Sequence, residues 1–190
     1  MYNLIKRIFD FFLASVLLLV FFPVFLIIAI MIKVNSRGGV FYTSKRIGLN
    51  NKVFLMPKFR SMKSDTPEVA THLLTDSQDY LTPIGKFLRK SSLDELPQLI
   101  SIFKGDMSFV GPRPALFNQE DLIKLRTEKC LHEIVPGLTG WAQINGRDIL
   151  SVEEKVEYDM FYLRRRSFVF DIKIIVCTFF YVFQVDKHAH

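Results

Sequence analysis

Apolar positions fall into two long blocks, one near each end of the chain, and between them short apolar stripes alternate with charged and turn-forming residues. The first block, residues 11–32, carries no charged side chain and as a helix would be about 33 Å long, enough to cross a bilayer. Lys6 and Arg7 precede it while Lys33 and Arg37 follow it, so the bias of basic residues draws both of its ends to the cytoplasmic side. Pro23 stands near the middle, where it removes a helical hydrogen bond and crowds the preceding turn. On these residues alone a kinked crossing and a re-entrant hairpin stand level. The run is too long for a signal-peptide core and has no small-residue cleavage site. Asp10, just inside the basic pair, is placed for neutralisation by Lys6 or Arg7 at the headgroup level. The second block, residues 168–183, is interrupted by Asp171 and Lys173 and reads as a helix lying in or under the headgroup layer.

Between the blocks, residues 40–42 and 53–59 are rich in strand formers and read as a hairpin closed by Gly48-Leu49-Asn50-Asn51. Residues 61–80 have weak periodicity and read as a loop or a short helix, with a lid over a site and a solvated connection equally good descriptions. Thr82 and Pro83 supply an N-cap and a first-turn proline for a helix with Ile84, Phe87 and Leu88 on one face and Arg89 near its end. Leu93, Leu96, Ile100 and Phe103 form the next stripe, ended by Gly105. Residues 136–147 are dense in turn formers and amides, which suits a ligand-contacting loop. Residues 152–163 read as a helix ending at Arg164-Arg165-Arg166, where cations complement its dipole.

Composition narrows the partners. A net charge of +6, from 25 basic and 19 acidic residues, suits nucleic acid, acidic phospholipid or phosphorylated small molecules. The charge is dispersed and lacks an aromatic and basic platform, which ranks nucleic acid last. A hydrophobic fraction of 49% with 19 phenylalanines exceeds what a core of this size can hide, so part of that surface is expected to meet lipid. Two cysteines, Cys130 and Cys177, imply no disulfide framework and a reduced setting. None of the four histidines has metal-ligand spacing.

The candidate chemistry lies in Arg89-Lys90-Ser91-Ser92-Leu93-Asp94-Glu95-Leu96-Pro97-Gln98 and in Gly111-Pro112-Arg113-Pro114. Adjacent carboxylates beside fixed guanidinium groups provide a nucleophile or metal ligand and cations to hold phosphate oxygens. Two helix frames compete at the pair. Ser92 and Glu95 fit a capping box, whereas Asp94 as N-cap leaves Pro97 inside the first turn. Both place the carboxylates at a helix N-terminus, which favours their ionised forms. The two prolines around Arg113 fix φ on either side of it, leaving little entropy to lose when it grips a phosphate. Lys58 and Arg60, at the end of the second hairpin strand, are candidates for the same mouth or for a solvated strand end.

Taken in order, Lys6-Arg7 with Asp10, Lys58-Phe59-Arg60-Ser61-Met62, Ser92-Leu93-Asp94-Glu95-Leu96-Pro97-Gln98, Lys104-Gly105-Asp106-Met107-Ser108, Gly111-Pro112-Arg113-Pro114 and Pro136-Gly137-Leu138-Thr139-Gly140 resemble the bacterial sugar transferases, specifically the small monotopic phosphoglycosyl transferases. The resemblance implies transfer of a sugar 1-phosphate from a UDP-sugar to a polyprenol phosphate such as undecaprenyl phosphate, with release of UMP. By similarity Asp94 forms an aspartyl-phosphosugar intermediate and Glu95 holds Mg²⁺. Arg89 and Arg113 would bind phosphate oxygens, with Lys58, Gln143, Asn145 and Arg147 as further donor contacts. It also implies an α+β, mainly helical fold, with a re-entrant membrane helix over residues 1–36 and a catalytic part over residues 37–190 that forms one functional unit with it. A small β-hairpin and amphipathic interfacial helices would surround an active site on the cytoplasmic face of the bacterial inner membrane. Lys6, Arg7, Asp10 and Pro23 are then the membrane-anchoring set, on an anionic phospholipid surface. The family often has serine before the helix-breaking proline, whereas Phe22 precedes Pro23 here, which leaves the depth and angle of the hairpin open. The sugar and pairing into a homodimer also stay open. A membrane-bound phosphohydrolase and a non-catalytic membrane anchor are the rival readings.

Overall fold

Pro23 has no amide hydrogen to return to the preceding turn, so the apolar block is not expected to run on as one straight helix. In the computed structural model it forms α1 (Tyr2–Val20) and α2 (Phe22–Asn35), bent by 59° to each other. The structure describes residues 2–63, 66, 80–146 and 149–185. Backbone bonds of 2.9 Å continue on both sides of the break, from Phe21 N–H to the Leu17 carbonyl and from Phe25 N–H to the Phe21 carbonyl. Among the described residues no single helix is long and apolar enough to cross a membrane, whereas this bent pair meets the length and composition together.

The two arms grip different parts of the rest of the chain. Ala14 of α1 is buried in the larger core, with Leu13, Leu17 and Leu18 packed around it. Ile28 and Ile32 of α2 are buried in a second cluster with Phe59, Ile84 and Leu88. Strand β1 (Phe41–Ile47) pairs antiparallel with β2 (Val53–Phe59), Phe41 opposite Phe59 and Ile47 opposite Val53. The strand outlasts the apolar pattern at residues 40–42, because each polar residue from Thr43 to Arg46 finds a partner in β2 and Ser44 turns inward. Val40 itself lies outside the strand. Most of residues 61–80, read as a lid or a connection, lies outside the described residues.

Thr82 caps α3 (Pro83–Lys90) as expected, accepting a hydrogen bond from Gly85 N–H at 3.0 Å. Ile84 and Leu88 are buried, but Phe87 is exposed rather than sharing their face. Helix α4 (Gln98–Lys104) starts later than the apolar stripe suggests. It buries Gln98, Leu99, Ser101 and Ile102, while Phe103 is exposed and stacks on Phe11 of α1 at 4.9 Å. Gly105 ends it at φ 97°, a conformation that suits glycine.

Two short strands have no clear pattern in the sequence. Strands β3 (Ser108–Val110) and β4 (Gly137–Thr139) pair in parallel, Ser108 opposite Gly137 and Val110 opposite Thr139. Of residues 136–147, expected as a loop, Gly137–Thr139 form β4 and the single turn α6 (Trp141–Ile144) follows. Helix α5 (Glu120–Glu128) lies between the two strands in sequence. Helix α7 (Val152–Arg165) opens on a full Ser151 and Glu154 capping box, and α8 (Phe168–Val185) follows it. The chain is thus mainly helical with a small antiparallel hairpin, consistent with the α+β expectation.

Charges fix α1 in place. Lys6 offsets the charge of Asp10 from a distance, as the sequence suggested, while its own ion pair is made with α8. Its ammonium donates to Asp171 Oδ2 of α8 at 2.8 Å, where the Tyr2 hydroxyl also donates. The Tyr162 hydroxyl donates to Asp171 Oδ1 at 2.8 Å. Asp171, 3% exposed, is a buried hub and not a breach in an apolar helix. Arg7 donates to the carbonyls of Ile102 and Phe103, satisfying the C-terminal end of α4. Asp10 accepts the Phe109 N–H of β3 at 3.2 Å.

If Pro23 sets the bend, Pro23→Ala restores one backbone donor and is expected to open the angle. Spin labels at the exposed positions Leu4 and Val34 should then show a longer distance by pulsed electron resonance in bicelles. An unchanged distance would show that packing of the two arms alone holds the bend.

Candidate active site

The chain reaches the carboxylate pair through a left-handed residue. Ser92 has φ 55°, and residues Leu93–Glu95 form a 3₁₀ turn that leads through Pro97 into α4. Neither capping frame forms, since Ser92 makes no cap and α4 begins only after Pro97. Glu95 is freed from a capping role and turns to two cations. Its Oε1 accepts from Lys58 Nζ at 2.7 Å and from Arg113 Nη2 at 3.2 Å. Lys58 also stands 3.7 Å from Asp94 Oδ2. Lys58 points inward from β2, so the strand-end lysine joins the carboxylate pair and is not a solvated strand end.

Asp94 is 6% exposed. Burial pushes its carboxyl above the usual range, against the charge of Lys58; Glu95 adds to the rise and Arg89 opposes it. The direction is opposite to that expected from a helix N-terminus, because desolvation outweighs the local dipole. Arg89 donates to Ser61 Oγ at 3.0 Å and to Met62 Sδ at 3.1 Å, so α3 places its charge beside the pair without an ion pair to it among the described residues. Arg60 turns away from the site and donates to Ser36 and to the Arg37 carbonyl at the end of α2.

Arg113 is held from behind by residues that the sequence did not single out. Arg126 of α5 donates from Nη1 to the Arg113 carbonyl at 2.8 Å, and from Nε and Nη2 to Asp159 Oδ2 of α7 at 3.0 and 2.7 Å. Arg46 of β1 donates to the Pro114 carbonyl at 3.1 Å. Nothing local marks these residues, because Arg126 and Asp159 meet only through packing of α5 on α7.

A groove of about 320 Å³ adjoins the pair. Glu95 and Arg113 line it, as do Leu17 and Phe21 at the helix break, Ile175 of α8 and Gln143 of α6. Gln143 is 8% exposed and its side-chain nitrogen and oxygen both lack a hydrogen-bond partner. Asn145 is exposed, donates to the Trp141 carbonyl at 2.7 Å and does not line the groove. Arg147 lies outside the described residues.

Among the described residues no group of three or more histidine, cysteine or carboxylate side chains gathers for a metal. Two adjacent carboxylates suit Mg²⁺ nonetheless, since that ion keeps several waters and takes further ligands from substrate phosphates. The donor set fits Mg²⁺ together with a phosphorylated ligand.

The site thus joins a bent apolar helix pair, a buried aspartate with Lys58 beside it and an adjoining, mostly apolar groove. The family model for "Bacterial sugar transferase" matches residues 1–185, and the chain belongs to that family. It is 42% identical over 195 residues to the UDP-glucose:undecaprenyl-phosphate glucose-1-phosphate transferase of Escherichia coli (strain K12), covering 99% of this chain and 42% of that protein. The sugar transferase EpsL of Bacillus subtilis (strain 168) is 42% identical over 177 residues, covering 92% of this chain and 85% of the relative. The UDP-N-acetylgalactosamine-undecaprenyl-phosphate N-acetylgalactosaminephosphotransferase of Aeromonas hydrophila is 34% identical, covering 93% of this chain and 43% of the relative. The chain thus spans less than half the length of the first and third of these relatives.

Asp159 is 1% exposed, so Arg126→Leu leaves a buried charge without its partner and is expected to cost about 3–5 kcal/mol. Adding Asp159→Leu removes the stranded charge and should restore much of that loss in detergent unfolding curves. A double variant no more stable than Arg126→Leu would mean that the pair does not carry the packing of α5 on α7.

Proposed function

We propose that the chain transfers a sugar 1-phosphate from a UDP-sugar to a polyprenol phosphate at the cytoplasmic face of the bacterial inner membrane. The observation that carries this reading is the buried Asp94 beside Lys58 and Glu95, with Glu95 paired to Arg113 and both of these lining the groove that reaches the helix break. The names of the family and of the E. coli and A. hydrophila relatives support it.

In the first half-reaction an Asp94 carboxylate oxygen attacks the phosphorus that bears the sugar. The bond from that phosphorus to the bridging oxygen breaks, and UMP leaves with the electron pair. Lys58, Arg89 and Arg113 supply the positive charge for the diphosphate, with Arg113 presented as a fork by its proline-flanked loop. Lys58 also stabilises the ionised form of Asp94 that burial disfavours. Glu95 would hold Mg²⁺ with the substrate phosphates; when bound, the ion neutralises diphosphate charge and assists departure of UMP. In the second half-reaction an oxygen of the polyprenol phosphate dianion attacks the same phosphorus. The bond to Asp94 breaks and its carboxylate is restored.

A monotopic, re-entrant placement of α1 and α2 fits this chemistry, because one substrate is soluble and the other lies in lipid. Both ends of the pair carry basic residues. Large apolar side chains stand exposed along both arms, among them Phe12, Leu19, Phe22, Ile30 and Val34, more than a water-facing surface normally carries. Val169, Phe179 and Phe180 of α8 extend the same character, as an interfacial helix would.

Detergent-purified protein given Mg²⁺, undecaprenyl phosphate and UDP-glucose or UDP-N-acetylgalactosamine is expected to release UMP continuously only when the acceptor is present. Asp94→Asn should lower that rate by roughly a thousandfold or more, since an amide is a poor nucleophile. Continuous release without acceptor would instead establish a phosphohydrolase. Retained turnover in Asp94→Asn would exclude the covalent step.

A further inference from the structure

We infer that Gln143 serves the lipid acceptor and not the nucleotide donor, its side-chain amide positioning the polyprenol phosphate head in the groove beside the helix break. The inference rests on the transferase reading above. A glutamine amide that is 8% exposed with neither Nε2 nor Oε1 bonded forfeits hydrogen bonds that water would have given it. Such a group is expected to meet a polar partner that enters its cavity.

The backbone goes to some length to place it. Helix α6 is a single turn, started by Gly140 directly after β4. A side chain on Gly140 would collide with the carbonyl of Gly111 and stand 2.7 Å from Gln143 Oε1. The glycine therefore clears the space that this amide occupies. Next to it, the hydroxyls of Thr139 and Thr178 lie 2.7 Å apart and join β4 to α8. Both threonines line the groove together with Gln143.

The composition of those walls selects the ligand. Apolar side chains, Leu17, Phe21, Leu99 and Ile175 among them, make up most of the wall, with Ser92, Thr139 and Thr178 as polar members beside Gln143 and with Arg113 and Glu95 as its charged ones. Along the apolar stretch a uridine or a sugar would leave hydroxyl and imide groups unpaired, whereas a prenyl chain has none to satisfy. A prenyl phosphate can put its anion at Arg113 and its first isoprene units against the leucines. An oxygen of that phosphate can then accept from Gln143 Nε2 while another attacks the phosphorus on Asp94. Because the acceptor enters as a dianion, bond formation to phosphorus and release of the Asp94 carboxylate need no proton transfer.

A two-step transfer separates the substrates kinetically. The kcat/KM for the UDP-sugar reports the steps up to UMP release, and kcat/KM for undecaprenyl phosphate reports those after it. Gln143→Leu is expected to lower the acceptor value by roughly 10- to 100-fold, the size of one charge-assisted hydrogen bond, and to leave the donor value within about twofold. Its unfolding temperature should match or exceed that of the wild type, because an unpaired buried amide has been replaced by an apolar group. Ile175→Trp, which narrows the groove without touching Gln143, should lower the acceptor value in the same selective way. A fall in the donor value in Gln143→Leu would overturn the assignment, as would an unchanged acceptor value in both variants. Wild-type protein given donor alone provides the separate control, one equivalent of UMP and no more. Absence of that burst in the wild type would sink the two-step reading on which the kinetic separation, and with it the assignment, rests, whereas a normal burst with a donor defect in Gln143→Leu would sink the assignment alone.

Discussion

The contacts of Lys58 and Arg113 with Glu95 hold together three segments that are far apart in sequence: a hairpin strand, a 3₁₀ turn and a proline-flanked loop. Two neighbouring carboxylates in a partly dry site repel each other, and burial alone would drive one of them to its neutral form. Lys58 spans both acids, so one ammonium at 2.7 and 3.7 Å offsets both charges. The cluster also meets the bent helix pair, since Glu95 and Arg113 line the same groove as Leu17 and Phe21. A carboxyl buried deeply enough to be raised depends on that local positive charge for its ionised form.

Around this centre the fold acts as a set of clamps. Arg126 and Asp159 tie the Arg113 loop to α5 and α7, and Arg46 ties the following residue to β1. On the other side, Asp171 gathers Lys6, Tyr2 and Tyr162, while Arg7 closes the end of α4. These contacts fix the axis of α1 against the core, and Pro23 lets α2 depart from it. The bend matters because Phe21, at the break, lines the groove together with Glu95 and Arg113. Burying polar hubs such as Asp171 and Asp159 is costly unless every partner is present, so these contacts specify geometry more than they add stability.

Much of this was legible in the sequence where the signal is local. Proline positions announced the helix break, the cap of α3 and the stiff loop at Arg113, and Gly105 marked the end of α4, because each fixes a backbone angle by itself. The pair Asp94 and Glu95 was visible as chemistry, but not in its right frame, since Ser92 in a left-handed conformation is selected by packing. The ion pair of Lys6 with Asp171 escaped for a similar reason, since Asp171 is brought by α8, whereas the influence of Lys6 on Asp10, four residues away, was legible. The parallel pairing of β3 with β4 escaped because three-residue strands carry too little alternation to be read. Arg126 and Asp159 escaped because two charged residues on separate helices look like solvated faces until the helices dock.

The most direct test of covalent transfer through Asp94 is the mass of the intact protein after incubation with Mg²⁺ and the UDP-sugar that supports turnover, in the absence of polyprenol phosphate. The expected result is an added sugar phosphate that maps to the peptide carrying Asp94 and disappears when undecaprenyl phosphate is supplied. An unmodified chain under conditions where the complete mixture turns over would contradict it and would require direct transfer between the two substrates.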